Sequence, residues 1–172
     1  MYRYYVLGTL ALTYAFSVMD RQVMSILLED LRADFLLDDT QLGLLSGLAF
    51  ALFYSVLGIP LARLADRSSR INIIAVCVAI WSVMTALCGA AQNFAQLFLG
   101  RVGVGVGEAG SSPPSHSMIA DYFAPKERSL ALAVVMMGAS FGSLFGLVLG
   151  GFVAESYGWR MAFVAAGVPG LL

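Results

Sequence analysis

Residues 40–62 read TQLGLLSGLAFALFYSVLGIPLA and contain no charged side chain. A helix needs about 20 mostly apolar residues to cross the roughly 30 Å hydrocarbon core of a bilayer, so this segment is long enough for one crossing. In the whole chain 59% of the residues are hydrophobic and 12% are charged. Together with a mean hydropathy of +0.83, this composition excludes an ordinary soluble domain.

Five further apolar stretches accompany this segment. The predicted spans are roughly 4–28, 40–62, 71–91, 95–122, 129–153 and 158–172. The last span has only about 15 residues and reaches Leu172 without a polar flank, although helix carbonyls need partners inside lipid. We therefore predict an all-α membrane protein with one six-helix bundle over residues 1–172, a truncated sixth helix and a C-terminal bundle that this chain lacks. A three-plus-three inverted repeat would fit six helices.

The short loops differ in positive charge, which determines the orientation of membrane helices. One side carries six bases and the other carries two, Arg32 and Arg160. The six are Arg3, Arg63, Arg67, Arg70, Lys126 and Arg128. We expect the N-terminus to be cytoplasmic and, since no targeting sequence is visible, the membrane to be a bacterial inner membrane. The net charge of −1 gives no reason to expect a nucleic-acid partner.

Four charged residues interrupt the predicted spans: Asp20, Arg21, Arg101 and Glu108. A charge at bilayer depth costs a few kcal/mol, so such residues face a protein interior or a water-filled path and mark proton relays or substrate routes. We expect Asp20 to pair with Arg101 or Arg21, and Glu108 to face a cavity where it takes up and releases a proton. The alternative is a static ion network that fixes the register of the helices.

Two other patterns concern helix shape. Gly138, Gly142, Gly146 and Gly150 recur at every fourth residue of the fifth span, a spacing that allows two helix backbones to approach closely and could also form a hinge or sliding surface. Pro113 and Pro114 remove backbone donors and should bend the fourth helix. A broken helix at membrane depth suits a cavity wall.

His116 follows this break near the end of the fourth span. We interpret it as a local hydrogen-bonding residue rather than a proton carrier. No nucleophile–base pair and no metal-ligand cluster is visible in the sequence, so we expect neither an enzyme nor a cofactor.

The segment from Gly58 to Arg70 reads GIPLARLADRSSR. It resembles the loop signature of the major facilitator superfamily, roughly G-x-L-a-D-R-x-G-R-R, and the segment 121–128 resembles the cytoplasmic loop before the fifth span of that superfamily. The resemblance implies a transporter of two bundles with a gate between them at the cytoplasmic end. The gate residues that it implies are Asp66, Arg67, Arg70, Asp121 and Arg128.

Within that superfamily, the pair Asp20-Arg21, the segment VGVGEA at 104–109 and the prolines after it resemble the spinster family. This implies proton-coupled transport of lipid-like amphiphiles such as lysophospholipids or sphingoid phosphates, in contact with the lipid bilayer. It implies that Asp20 and Glu108 are the proton-linked acids and that Arg21, with Arg101, is the substrate or coupling base.

Two alternatives to this interpretation stay open. Relatives elsewhere in the superfamily carry small organic anions. A membrane receptor or assembly scaffold without transport activity would tolerate joint neutral replacement of Asp20, Arg21 and Glu108, whereas a transporter would not.

Overall fold

The structure, a computed structural model, describes residues 1–171, apart from the side chains of Ala49 and Asp66. All secondary structure in that part of the chain is helical. It comprises α1 (Tyr2–Ile26), α2 (Leu28–Phe35), α3 (Asp39–Gly43), a π-helical segment (Leu44–Leu48), α4 (Ala49–Arg67), α5 (Arg70–Cys88), α6 (Phe94–Ala109), α7 (Ser112–Tyr122), α8 (Pro125–Tyr157), α9 (Trp159–Gly167) and a 3-10 turn (Val168–Leu171).

Apart from α2, which lies between the first two, these helices form six passes through the bundle, and each overlaps one of the six predicted apolar stretches. The second pass combines α3, the π-helical segment and α4, and the fourth combines α6 and α7. Three stretches are long and apolar enough to cross a membrane by length and composition alone: Asp39–Ala65, Arg70–Cys88 and Pro125–Tyr157. The other passes fall short because α1 contains Asp20 and Arg21, the fourth pass is broken, and α9 is short.

Helix α8 packs closely against α1 through its glycine row. Gly138, Gly142, Gly146 and Gly150 are all buried. A Cβ atom added at Gly138 would lie 2.5 Å from the carbonyl oxygen of Ala11, and one at Gly146 would lie 2.8 Å from that of Met19. The predicted close approach of two backbones is therefore present, and α1 is the partner of α8.

Polar contacts join the helices at both ends of the bundle. At one end Asp34 of α2 accepts hydrogen bonds from Trp159 Nε1 (3.1 Å) and Arg160 Nη1 (3.0 Å) of α9. At the other end Arg3 forms an ion pair of 3.0 Å with Glu127 at the start of α8. The basic loops and the N-terminus thus share one end of the bundle, as the alternation of the spans predicts.

The α1–α8 contact yields a prediction for stability. Gly138→Ala should destabilise the bundle by about 1–3 kcal/mol, because its Cβ atom would meet backbone that cannot move independently. The measurement is thermal unfolding of the purified protein in detergent.

The matched control is Gly8→Ala on α1, where an added Cβ atom has no neighbour within 4 Å. This change should leave the unfolding temperature unchanged or raise it slightly, since alanine favours the helix. Equal behaviour of the two variants would contradict close packing at Gly138.

Candidate functional site

The four intramembrane charges form two separate ion pairs between α1 and α6. Consecutive residues of a helix point about 100° apart, so Asp20 and Arg21 reach different partners. Arg101 Nη1 lies 2.8 Å from Asp20 Oδ2, and Arg21 Nη2 lies 2.6 Å from Glu108 Oε2. Of the two partners considered for Asp20, the structure therefore selects Arg101.

The Asp20–Arg101 pair is sealed inside the protein. The two side chains are each 2% exposed. Thr85 Oγ1 of α5 donates a hydrogen bond of 2.7 Å to Asp20 Oδ1, so both carboxylate oxygens have a partner. This cluster joins α1, α5 and α6, and it leaves neither charge of the buried pair without a partner.

The Glu108 carboxylate is bound through one oxygen only. Arg21 Nε (3.0 Å), Arg21 Nη2 (2.6 Å) and Ser17 Oγ (2.6 Å) all donate to Oε2. Ser17 Oγ also accepts a hydrogen bond of 2.8 Å from Arg21 Nη2. Within the described residues Glu108 Oε1 is buried without a hydrogen-bond partner. It is the oxygen to which a proton can be added without displacing an existing donor.

Arg21 separates Glu108 from a polar cavity of about 210 Å³ between α1, α4, α7 and α8. The Arg21 side chain is 38% exposed and lines this cavity, whereas the Glu108 side chain is 0% exposed. The guanidinium carbon lies 4.8 Å from the centre of the Phe50 ring and 6.0 Å from that of Tyr54. Our expectation that Glu108 itself faces a cavity is therefore wrong, because the long arginine side chain lies between them.

The fourth pass is interrupted beside this cavity. Helix α6 ends at Ala109 and α7 begins at Ser112, with Pro113 and Pro114 in its first turn, where a missing N–H costs little. Two serine hydroxyls satisfy carbonyls near the break: Ser111 Oγ donates to Glu108 O (2.9 Å) and Ser115 Oγ donates to Ser111 O (2.7 Å). The predicted break is present, and His116 also lines the cavity.

The sequence patterns did not single out several residues of the site, among them Ser17, Tyr54, Thr85 and Ser112. Ser17 lies one helical turn before Arg21, so helical spacing could have identified it. Thr85 and Tyr54 contact the site from other helices, and no local pattern marks them.

Three of the predicted gate residues make contacts at the basic end of the bundle. Arg70 at the start of α5 forms an ion pair with Asp121 near the end of α7. Arg128 donates to the carbonyl oxygens of Phe123 (3.1 Å) and Ala120 (2.8 Å). Arg67 ends α4 and is exposed. The side chain of Asp66 lies outside the described part of the structure, so its gate contact stays a prediction.

An all-α bundle with paired charges beside a polar cavity is typical of membrane transporters. The family model of the Major Facilitator Superfamily matches residues 10–172 of the chain. A crystal structure of a bacterial homologue of the human lysosomal transporter spinster, inward-facing and unoccupied, has 40% sequence identity and a TM-score of 0.91. The match covers 99% of this chain and 41% of that one.

Two curated relatives extend this similarity. An MFS-type efflux pump of Mycolicibacterium smegmatis is 43% identical over 160 residues, which are 93% of this chain and 37% of the pump. Protein spinster of Drosophila melanogaster is 33% identical over 155 residues, 90% of this chain and 26% of that protein. The chain thus spans well under half the length of these relatives.

The chain belongs to the major facilitator superfamily, and its similarity is to spinster-like members. It is an integral, multi-pass membrane protein, and its family consists of transporters rather than enzymes. The predicted fold class, an N-terminal six-helix bundle of this fold, is confirmed.

The sealed ion pair yields a prediction for stability. Arg101→Met should destabilise the protein by about 3–5 kcal/mol, because it leaves the Asp20 carboxylate buried without its cation. The double variant Asp20→Asn with Arg101→Met should recover much of that loss. Thermal unfolding of the single and double variants measures this coupling, and additive losses would contradict a direct buried pair.

Proposed function

We propose that the chain is the N-terminal half of a proton-coupled secondary transporter. It would move an amphiphilic, lipid-like or organic-anion substrate by alternating access. One observation carries this proposal: Arg21 binds the buried Glu108 carboxylate on one side and lines a polar cavity on the other. A single cation can therefore respond both to a proton and to a substrate.

The coupling follows from competition for that guanidinium. A protonated Glu108 no longer balances the charge of Arg21, which becomes available to an anion in the cavity. Conversely, an anion bound to Arg21 favours the protonated carboxyl, because two negative groups would otherwise share one cation. We propose Asp20 as the second proton-linked acid, with Arg101 as its counter-charge. Neither residue is among those that line this cavity.

The proposal includes a second bundle. The chain spans 41% of its spinster-like structural relative, and we propose that a C-terminal bundle supplies the opposite wall of the cavity. The two bundles would rock about a site near the midplane of the bilayer. We place the basic end and the N-terminus in the cytoplasm of a bacterial cell, where Asp66, Arg67, Arg70, Asp121 and Arg128 would form the gate. The glycine row of α8 would then keep α1 and α8 together or provide a sliding surface.

A small organic anion is the second candidate substrate. The cavity of about 210 Å³ has room for a compact charged group, whereas drug-sized pockets range from about 300 to 1,000 Å³. A lipid-like substrate would need its tail to leave the cavity, and a small anion would not.

Replacement of Glu108 tests the coupling. Glu108→Gln should reduce pH-driven uptake to background while the protein still folds, because the amide cannot exchange a proton in this pH range. The measurement is uptake of a fluorescent lysophospholipid and of labelled benzoate into proteoliposomes under an imposed pH gradient. The control is Glu127→Gln, which removes a carboxylate that is 45% exposed and lies at the basic end.

Full pH-driven uptake by Glu108→Gln would refute coupling through Glu108. A wild-type protein that moves neither probe and dissipates no pH gradient would refute the transport proposal for these substrates.

Replacement of Arg21 by lysine tests the double role of the guanidinium. Arg21→Lys keeps the charge but loses the planar fork that reaches Glu108 Oε2 and Ser17 Oγ together. We expect uptake to fall about tenfold or more, with a smaller change in unfolding temperature than Arg101→Met causes. Unchanged uptake at all substrate concentrations would show that a simple point charge is sufficient.

A further inference from the structure

Ser17 of α1 lies between the acid and the base of the second ion pair. Its hydroxyl donates a hydrogen bond of 2.6 Å to Glu108 Oε2 and accepts one of 2.8 Å from Arg21 Nη2. The residue is buried, with 4% of its surface exposed. Because a hydroxyl has a single hydrogen, Ser17 donates it to the acid and offers only lone pairs to the base.

Two other hydroxyls on α1 bond to their own helix. Thr9 Oγ1 donates to the carbonyl oxygen of Tyr5 (3.0 Å), and Ser25 Oγ donates to that of Arg21 (3.1 Å). A serine or threonine inside a helix commonly makes this bond to the residue four positions earlier. Ser17 instead donates across the bundle to α6, which indicates that its hydroxyl serves the carboxylate rather than the helix.

The backbone of α1 is fixed on the side away from this hydroxyl. Gly142 of α8 lies against the carbonyl oxygen of Ala15. Gly146 lies against the carbonyl oxygen of Met19 in the same way. Ala15 and Met19 are two residues before and two residues after Ser17. Two residues correspond to about 200° around a helix, so Ser17 points to the opposite side, towards α6, and the contact with α8 holds it close to the buried carboxylate.

Departure of Arg21 would leave Ser17 as the remaining donor to the acid. Within the described residues, the side chains that donate to Glu108 Oε2 are Arg21 and Ser17. While the arginine is present, the serine adds a bond to an oxygen that already has two. Once the arginine turns to the cavity, the serine bond alone keeps that oxygen from being buried without a partner. Loss of a last hydrogen bond is far costlier than loss of one among three.

We infer that Ser17 is a positioning residue for the proton step. Its hydroxyl holds the Glu108 carboxyl through protonation at Oε1 and through the departure of Arg21. The inference rests on the proposed function, and it adds a residue that acts through Glu108 and is not among those that line the polar cavity. Without the hydroxyl, the state in which Arg21 is free becomes less populated, whereas the intact ion pair changes little.

The vibration of the protonated Glu108 carboxyl reports this contact directly. Infrared difference spectra of the full-length protein in nanodiscs are recorded between high and low pH, and Glu108→Gln identifies the Glu108 band by its loss. With the proton on Oε1, the carbonyl oxygen is Oε2, to which Ser17 donates. We expect Ser17→Ala to shift this C=O band to higher wavenumber, because a carbonyl that loses a hydrogen bond has a stiffer double bond. Ser17→Thr keeps a hydroxyl and should retain the wild-type band.

Transport assays separate a positioning role from a structural one. Net uptake under a pH gradient requires Arg21 to leave and rejoin Glu108 in each cycle, whereas exchange of substrate at equal pH needs no change in the protonation of Glu108. With labelled benzoate and fluorescent lysophospholipid as probes, Ser17→Ala should slow net uptake about tenfold and exchange less than about twofold. Ser17→Thr should restore uptake. The control is Thr9→Ala, which removes an exposed hydroxyl that donates to Tyr5 O and should leave both rates unchanged.

A Glu108 band that Ser17→Ala leaves in place would overturn the inference, as would unchanged net uptake or equal losses of uptake and exchange in that variant. Absence of a Glu108-dependent carboxyl band at any pH would refute the proposed coupling, and the role of Ser17 with it. The spectra need neither substrate nor gradient. The expected band shift without uptake of either probe would therefore support the role of Ser17 and refute the transport proposal alone.

Discussion

Helix α1 carries an acid and a base side by side inside a membrane-spanning segment, where an unpaired charge is costly, and the surrounding helices meet this constraint. Because Asp20 and Arg21 point in different directions, one partner cannot serve both. Helix α6 supplies two, Arg101 and Glu108, on one of its faces, and the two ion pairs fix α1 and α6 in register. The glycine row of α8 then allows a third helix to approach the same α1 at backbone distance.

Each of the two ion pairs joins a carboxylate to an arginine, but their surroundings differ. Asp20 and Arg101 are each 2% exposed, and Thr85 completes the carboxylate. Separating that pair would leave two desolvated charges, at a cost of about 3–5 kcal/mol. Arg21 is 38% exposed and already lines a cavity, so it can leave its acid without entering lipid. In the proposed mechanism the sealed Asp20–Arg101 pair would therefore separate less readily than the Arg21–Glu108 pair.

The sequence predicted the positions of the helices better than it predicted which helices pack against one another. Long apolar stretches identified all six passes, and the four-residue glycine spacing identified the packed face of α8, but no local pattern named α1 as its partner. The position of Glu108 within the fourth span followed from the sequence, whereas its screening by Arg21 depends on the conformation of one long side chain. Thr85 and Tyr54 could not be predicted, because a single hydroxyl on a distant helix leaves no periodic signal.

The geometry around Glu108 gives the proposed coupling an order of events. Three donors converge on Oε2, so a proton can be added at the buried Oε1 while the ion pair is still intact. Neutralisation then weakens the hold on Arg21, and Ser17, which donates to the same oxygen, keeps the carboxyl in place as the arginine turns to the cavity. In the proposed coupling, protonation would therefore precede movement of the arginine, since the reverse order would leave a buried carboxylate without its cation, and that state is the more costly one.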